Sequence, residues 1–437
     1  MSQPASPLHF RDFRLYWLAR FCATSATIAM VVVIAAQTYQ IARLDYAMDK
    51  SAAAFQLGLL GFFQFMPLLI LTPVAGWVAD RLDRRLVSAA ANGLDLGIAL
   101  CLAIASLNGL HSLPLIFFLA ALHGSARVFI SPAMSAMTPN LVPAALLPRA
   151  IAFSSVAWQI ASVVGPATAG LLLARSATLA YSVSCALLLL AMLAVIAIRP
   201  WPRAAGAGHA HPLTMMREGG VFVLKQRFLL GCATLDLFAV LLGGATALLP
   251  VYAYDVLHVG STGFGMLRAA PAIGAVTVSL WLAARPLQHN VGVKMLWAVA
   301  VFGGATVAFG LSHNFLFSLV TLVVLGGSDM ISVFIRSTLI QLYTPDEMRG
   351  RVSSISGLAI SASNELGEMQ SGMAAALLGV TGAVVLGGAG AIAVTGLWAW
   401  LFPEIRRART FAPPEQDPPL QDPLVQDRPF HEKEQAT

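Results

Sequence analysis

Residues 177–198 read Ala-Thr-Leu-Ala-Tyr-Ser-Val-Ser-Cys-Ala-Leu-Leu-Leu-Leu-Ala-Met-Leu-Ala-Val-Ile-Ala-Ile, bounded by Arg175 and Arg199. The run is continuous, free of charge, and long enough to carry a helix across about 30 Å of hydrocarbon. A membrane strand would instead alternate polar and apolar residues over segments of about ten. This stretch therefore selects helices over a barrel. Working outward from it, twelve such runs are legible, near 14–41, 53–79, 86–107, 113–137, 151–173, 177–198, 229–251, 262–284, 292–311, 315–342, 353–379 and 383–402. Gly379-Val-Thr-Gly382 is the only break between the last two. The first run has no small-residue cleavage site after its apolar core, so it reads as a membrane helix and not as a signal peptide.

Composition agrees. The 437 residues are 57% hydrophobic and 11% charged, against about 25% charged in a soluble domain. With 21 acids and 27 bases, the chain cannot cover the two or three soluble domains its length would otherwise imply. Disorder, fibre and a disulfide scaffold are excluded too. Cys22, Cys101, Cys185 and Cys232 lie far apart in apolar stretches, without metal-ligand spacing. The expected class is an all-α membrane protein of twelve transmembrane helices.

The bases fix the orientation. With a cytoplasmic N-terminus, Arg127, Arg268 and Arg336 fall within spans, Arg43, Lys50 and Arg175 fall outside, and the rest of the 27 lie inside. The net charge of +6 is then topological and gives no reason to expect nucleic acid. Both termini are expected in the cytoplasm, with the bilayer as the surrounding partner and the chain acting as a monomer.

The chain divides into a six-helix half at 10–198, a polar linker at 199–227, a second six-helix half at 228–403 and a tail at 404–437. Leu213–Arg227 alternates apolar and basic residues, as a short amphipathic helix on the membrane face does. His209 and His211 in the linker lack a third ligand, so no metal is expected. The tail repeats Gln-Asp-Pro without apolar periodicity and reads as disordered. The halves repeat. Thr138-Pro139 matches Thr344-Pro345, and at a shift close to that one Gly165-Pro166-Ala-Thr-Ala-Gly170 overlies Gly367-Glu368-Met-Gln-Ser-Gly372. Two parallel six-helix repeats with a site between them near the midplane form a known transporter plan.

The loop Gly76-Trp-Val-Ala79-Asp80-Arg81-Leu-Asp83-Arg84-Arg85 resembles the signature loop of the major facilitator superfamily, Gly-x-Leu-Ala-Asp-Arg-x-Gly-Arg-Lys/Arg, and sits in the same place, between spans two and three. Val78 and Asp83 depart from it, Asp83 at the tightest point of the turn. Gly165-Pro166-x-x-x-Gly170 resembles a span-five element of its exporters. Phe10-Arg-Asp-Phe-Arg14 and Arg349-Gly-Arg-Val352 resemble the bacterial branch that holds enterobactin and macrolide exporters. The resemblance implies two pseudo-symmetric halves and a cytoplasmic gate built from Gly76, Asp80, Arg81, Arg84 and Arg85. Asp80 would cap the start of span eleven near Val352–Ser354, where free N–H groups and the helix dipole favour a carboxylate. Alternatively, the loop is simply a basic topogenic segment.

Ionisable groups inside spans cost about 2.5–3.5 kcal/mol each at a helix centre, and such residues are usually functional or paired. The first half holds Asp95 and Arg127; the second holds Asp236, Asp329, Glu365, Glu368, Arg268 and Arg336. Full ionisation would leave two uncompensated negative charges in the second half. Acids in that position take up protons, so proton coupling is expected there. Glu365, Glu368, Asp329 and Asp236 are the coupling candidates, with Arg127, Asp95, Arg268 and Arg336 as charge partners. Ser361, Glu365, Glu368 and Gly372 form one stripe on span eleven; both Glu could instead make fixed hydrogen bonds. An Arg127–Asp95 ion pair is the bland alternative to a role for Arg127 in tuning a proton site. Arg336 could belong to the cytoplasmic gate.

Gly165, Pro166 and Gly170 suit close helix packing between the halves. Gln37, Tyr39, Gln64, Phe65, Trp158 and Gln159, with Phe62, are candidates to line an apolar cavity with a few polar groups. Trp398 and Trp400 read as interface anchors. No nucleotide-binding or hydrolase motif occurs, so neither an enzyme nor a cofactor is expected, and the energy must come from an ion gradient. The sequence thus points to a bacterial inner-membrane secondary transporter, exporting a small amphipathic drug or siderophore against protons by alternating access. An importer or symporter on the same fold and a non-transporting receptor or scaffold are the rival readings.

Overall fold

A computed structural model describes residues 6–200, 212–285, 287 and 289–411. The linker segment 201–211, with His209 and His211, and residues 412–437 of the tail lie outside the described residues, as do the surroundings of Gly76 and of the Asp80 side chain. Helices account for nearly all of the rest, and no strand occurs among the described residues. In chain order they are α1 (Arg11–Leu44), α2 (Lys50–Arg81), α3 (Arg84–Leu107), α4 (Leu113–Met137), α5 (Leu147–Leu173), α6 (Ala177–Ile196), α7 (Pro212–Lys225), α8 (Arg227–Leu242), α9 (Leu249–Val251), α10 (Gly260–Ala284), α11 (Val291–Gly310), α12 (Phe315–Tyr343), α13 (Asp346–Leu401) and α14 (Pro403–Arg407).

Eleven of the described segments are long and apolar enough to cross a membrane. The twelfth span is inside α13, whose 56 residues would reach about 84 Å as one straight helix. Gly379 breaks it, with φ +74° and ψ 165°. That region is essentially closed to residues with a side chain, so the chain reverses where the sequence shows its only gap. An even number of spans brings both ends of the described chain to one face, here called the terminal face.

Short polar turns end the spans by capping. Asp49 accepts from the Ala52 amide at 2.7 Å, Asp83 from Arg85 at 3.0 Å, Ser176 from Leu179 at 3.0 Å and Asn314 from Phe317 at 3.0 Å. Asp83, the departure from the family's glycine, is thus the N-cap of α3 and also pairs with the Arg85 guanidinium at 2.7 Å. Such caps satisfy amides that a helix start leaves unpaired.

Span seven differs from the continuous run expected at 229–251. It breaks after α8 at Gly243-Gly244, makes a 3-10 turn over Ala245–Leu248, and ends in a π turn over Tyr252–Val256. Crowding explains the glycines. A side chain at Gly244 would meet the Gly367 carbonyl at 2.6 Å, and one at Gly243 would meet the Phe302 ring at 2.6 Å. The amphipathic segment expected after the linker is α7. It lies on the start of α13, with Glu218 bridging to Arg351 at 2.8 Å and Val223 packed with Leu229, Ile340 and Val352. Trp398 is not a simple interface anchor: its indole donates to Thr234 of α8 at 3.0 Å, whereas Trp400 is exposed.

Gly379→Val should lower the thermal stability of the detergent-solubilised protein by about 1–3 kcal/mol, the usual cost of that backbone region. Gly396→Ala, in open space within the same helix, should not. Equal melting temperatures for both variants and the parent would refute the assignment of the break.

Candidate functional site

The site lies where the two halves meet. Gly170 of α5 faces Gly265 of α10, so that a β-carbon on Gly170 would stand 2.5 Å from the Gly265 α-carbon. Gly372 of α13 meets Gly58 of α2 in the same way. Gly170 and Gly372 are the repeat partners read from the sequence. Their companions behave alike: Gly165 packs on Ser25 of α1, and Gly367 on Val240 and Leu241 of α8. The element expected at the interface therefore touches it at Gly170, while Gly165 packs inside its own half.

On the face opposite the terminal one, a latch joins the halves. Tyr39 and Arg43 of α1 both donate to the Asp255 carboxylate in the π turn, and Lys50 donates to the Asp255 carbonyl at 3.3 Å. Tyr39 also stacks on Tyr254. Tyr39 is thus a latch residue and does not line the cavity. Gln37 is also buried away from it, donating to Ser106 and accepting from Tyr181. Asp255 escaped the sequence reading because its partners lie more than two hundred residues away.

At mid-span, Arg127 of α4 crosses between the halves, donating to Glu365 of α13 at 3.3 Å and to Gln64 of α2 at 3.4 Å. Arg268 of α10 pairs with Glu368 at 3.5 Å and donates to the Thr246 carbonyl at 3.1 Å. A cavity of ≈ 20 Å³ lies between the halves, lined among others by Gln64, Leu57, Thr246, Phe264, Arg268 and Glu368. It has room for about one water. Phe65 on α2 is buried but is not part of this lining, Trp158 is half exposed on α5, and Gln159 is partly exposed.

The remaining span charges pair differently from expectation. Asp95 does not bind Arg127; its carboxylate lies 2.5 Å from Nδ1 of His123 on α4 and accepts from Thr27 at 3.3 Å. Arg336 binds Asp236, and both are nearly buried inside the second half. Asp236 and Arg336, read separately as a coupling candidate and a gate candidate, are thus partners in one buried ion pair. Asp329 has no ion pair or hydrogen bond among the described residues. The expected surplus of two acids thus becomes one: Arg127 supplies a charge from the other half, and Asp329 is left over. His123 was missed because only formal charges were counted; its place one turn before Arg127 was the available signal.

At the start of α3, Arg84 donates to the Ala136 carbonyl at 2.8 Å and Arg85 to the Ile198 carbonyl at 2.5 Å. Both are helix-end carbonyls of the same half, where cations are favourable. These bonds brace the first half, and Arg81 stands exposed at the loop's start.

Twelve spans in two repeated halves, joined at mid-span by the Arg127–Glu365 pair, define a secondary transporter of the major facilitator fold. The chain belongs to the family of transmembrane secretion effectors, whose model matches residues 2–428. It is similar to the enterobactin exporter EntS of Citrobacter koseri, at 29% identity over 424 residues, covering 93% of this chain and 95% of that one. The enterobactin exporter EntS of Escherichia coli O1:K1 is 28% identical over 420 residues, covering 92% and 94%. Among solved structures, a D-xylose-proton symporter superposes with a TM-score of 0.71 at 14% identity, covering 90% of this chain and 98% of that one. An inward-facing, occupied bacterial homologue of the lysosomal transporter Spinster gives 0.71 at 14%, covering 93% and 99%. The chain is a multi-pass membrane transporter and not an enzyme.

Breaking the Asp236–Arg336 pair from one side, by Asp236→Asn or Arg336→Leu, should destabilise the protein by about 3–5 kcal/mol, because the partner charge stays buried. Replacing both by Leu should recover most of that loss. Thermal unfolding in detergent measures it, and single variants as stable as the parent would contradict the pairing.

Proposed function

We propose that the protein exports a siderophore of the enterobactin type, or a similar small amphipathic molecule, across the bacterial inner membrane in exchange for protons. The observation that carries this reading is the Arg127–Glu365 bridge between the halves. A proton on Glu365 removes one charge of the pair and with it an attraction that exists only while the halves meet at mid-span. Protonation then favours one conformation over the other, which is what coupling requires. Glu368, on the same stripe and against Gly61 of α2, and the unpaired Asp329 are further groups able to take a proton. The names of the curated relatives supply the substrate class and the direction.

The positive-inside count supports a cytoplasmic terminal face, with both termini on that side and the latch outside. A latch joining the halves outside corresponds to an inward-facing state, ready to receive cargo from the cytoplasm. The chain works as a monomer, since each half finds its partner within the same chain. The gating role of Asp80 remains part of the proposal, but its target moves: α13 begins at Asp346, so the unpaired amides of a helix start lie there and not at Val352–Ser354 as expected from the sequence.

In inside-out proteoliposomes, an imposed proton gradient should drive uptake of labelled enterobactin. Glu365→Gln should abolish the gradient dependence but retain substrate exchange at equal pH. If Glu365→Gln, Glu368→Gln and Asp329→Asn each leave gradient-driven flux intact, proton coupling at these acids is wrong. The latch has its own readout. Asp255→Asn should raise labelling of Ala247→Cys by a membrane-impermeant thiol reagent from outside several-fold; unchanged labelling would remove the latch from the cycle.

A further inference from the structure

Inside the first half, away from the contact between the halves, α3 and α4 bury a titratable pair. Asp95 and His123 are both fully enclosed, and the imidazole Nδ1 lies 2.5 Å from a carboxylate oxygen. The other carboxylate oxygen accepts from Thr27 of α1 at 3.3 Å. His123 Nε2 has no hydrogen-bond partner among the described residues. A buried polar atom left without a partner is uncommon and calls for a reason.

The arrangement supplies one. Nδ1–H donating to a carboxylate fixes the imidazole tautomer and orientation, leaving Nε2 as a free basic lone pair. The same logic lets a carboxylate prepare a catalytic histidine to take a proton and stabilises the imidazolium that forms. We propose that Asp95 and His123 form a proton-binding site within the first half, with Nε2 of His123 as the accepting atom. The bond formed is Nε2–H, and the charge of the pair changes from negative to neutral.

This site bears on the bridge. His123 and Arg127 are one turn apart on α4, and side chains four apart on a helix are neighbours. Among the described residues, the hydrogen-bond partners at this part of α4 are Asp95 from α3, with Thr27 of α1 behind it, and the Gln64 amide from α2; the charged groups in that set are Asp95, Arg127 and, through Arg127, Glu365. With His123 neutral, Asp95 leaves a net negative charge near Arg127 that competes with Glu365. A proton on Nε2 cancels that charge and leaves Arg127 to Glu365. The proton in the first half thus strengthens the bridge that a proton on Glu365 weakens. The inference rests on the observed Arg127–Glu365 contact and stands apart from the identity of the cargo.

The test is ¹⁵N NMR of the full-length transporter labelled at histidine, with His123→Asn, or His123→Gln should that variant fail to fold, to assign the signal. At alkaline pH the expected state has Nδ1 protonated and Nε2 bare, and acidification moves Nε2 to the protonated position. At a fixed pH within that change, Glu365→Gln should lower the protonated fraction of His123 several-fold, because Arg127 loses its counter-charge. An Nε2 signal indifferent to acidification, a neutral form protonated on Nε2, or a protonated fraction unaffected by Glu365→Gln would each overturn the proposal. None of these readouts requires transport, so failure of the export reading would be seen separately.

Discussion

Helices in a bilayer gain little from burying apolar surface against one another, because lipid tails are as apolar as leucine. What holds the two halves together must therefore be close backbone approach and polar contact. The glycine crossings meet the first need. Gly58 with Gly372 and Gly170 with Gly265 bring α-carbon against α-carbon, where one methyl group would collide with main chain. These two contacts fix how near α2 lies to α13 and α5 to α10. Every charge pair between the halves depends on that spacing, since a helix separation larger by one side chain would carry Glu365 out of reach of Arg127.

Polar contacts meet the second, and among the described residues they join the halves at the latch around Asp255 and at mid-span between Arg127 and Glu365. The others close within a half: Asp236 on Arg336, Asp95 on His123, Glu368 on Arg268. Pairs inside a half tie together helices of that half, whereas the Arg127–Glu365 pair and the Asp255 contacts tie one half to the other. Asp329 belongs to neither group.

Much of the architecture was legible because it follows from hydrocarbon thickness. The length of each apolar run, the short basic loop after span two and the repeated glycines placed the spans, and Gly379 marked the last reversal. The break in span seven was hidden because Gly243-Gly244-Ala-Thr-Ala-Leu is as apolar as a helix interior; only crowding by Phe302 and Gly367 reveals why glycine stands there. The candidate site was half legible. Acids inside spans announce themselves, but their partners depend on how helices rotate. Arg127 was available to Asp95 on the sequence and went to Glu365, while an uncounted histidine took its place. Tyr39 and Gln37 read as cavity residues because a polar group in a span looks the same whether it faces a cavity or a neighbouring helix.

The broken end of span seven joins two places otherwise treated separately. Thr246, Ala247 and Pro250 form part of the cavity wall, and the Thr246 carbonyl holds Arg268. Asp255, on the same short piece of chain, carries the latch. Below it, Gly243-Gly244 interrupts the helical ladder to α8. One short segment thus serves the cavity wall and the contact between the halves at once, so a change in its length or in its two glycines would disturb both together.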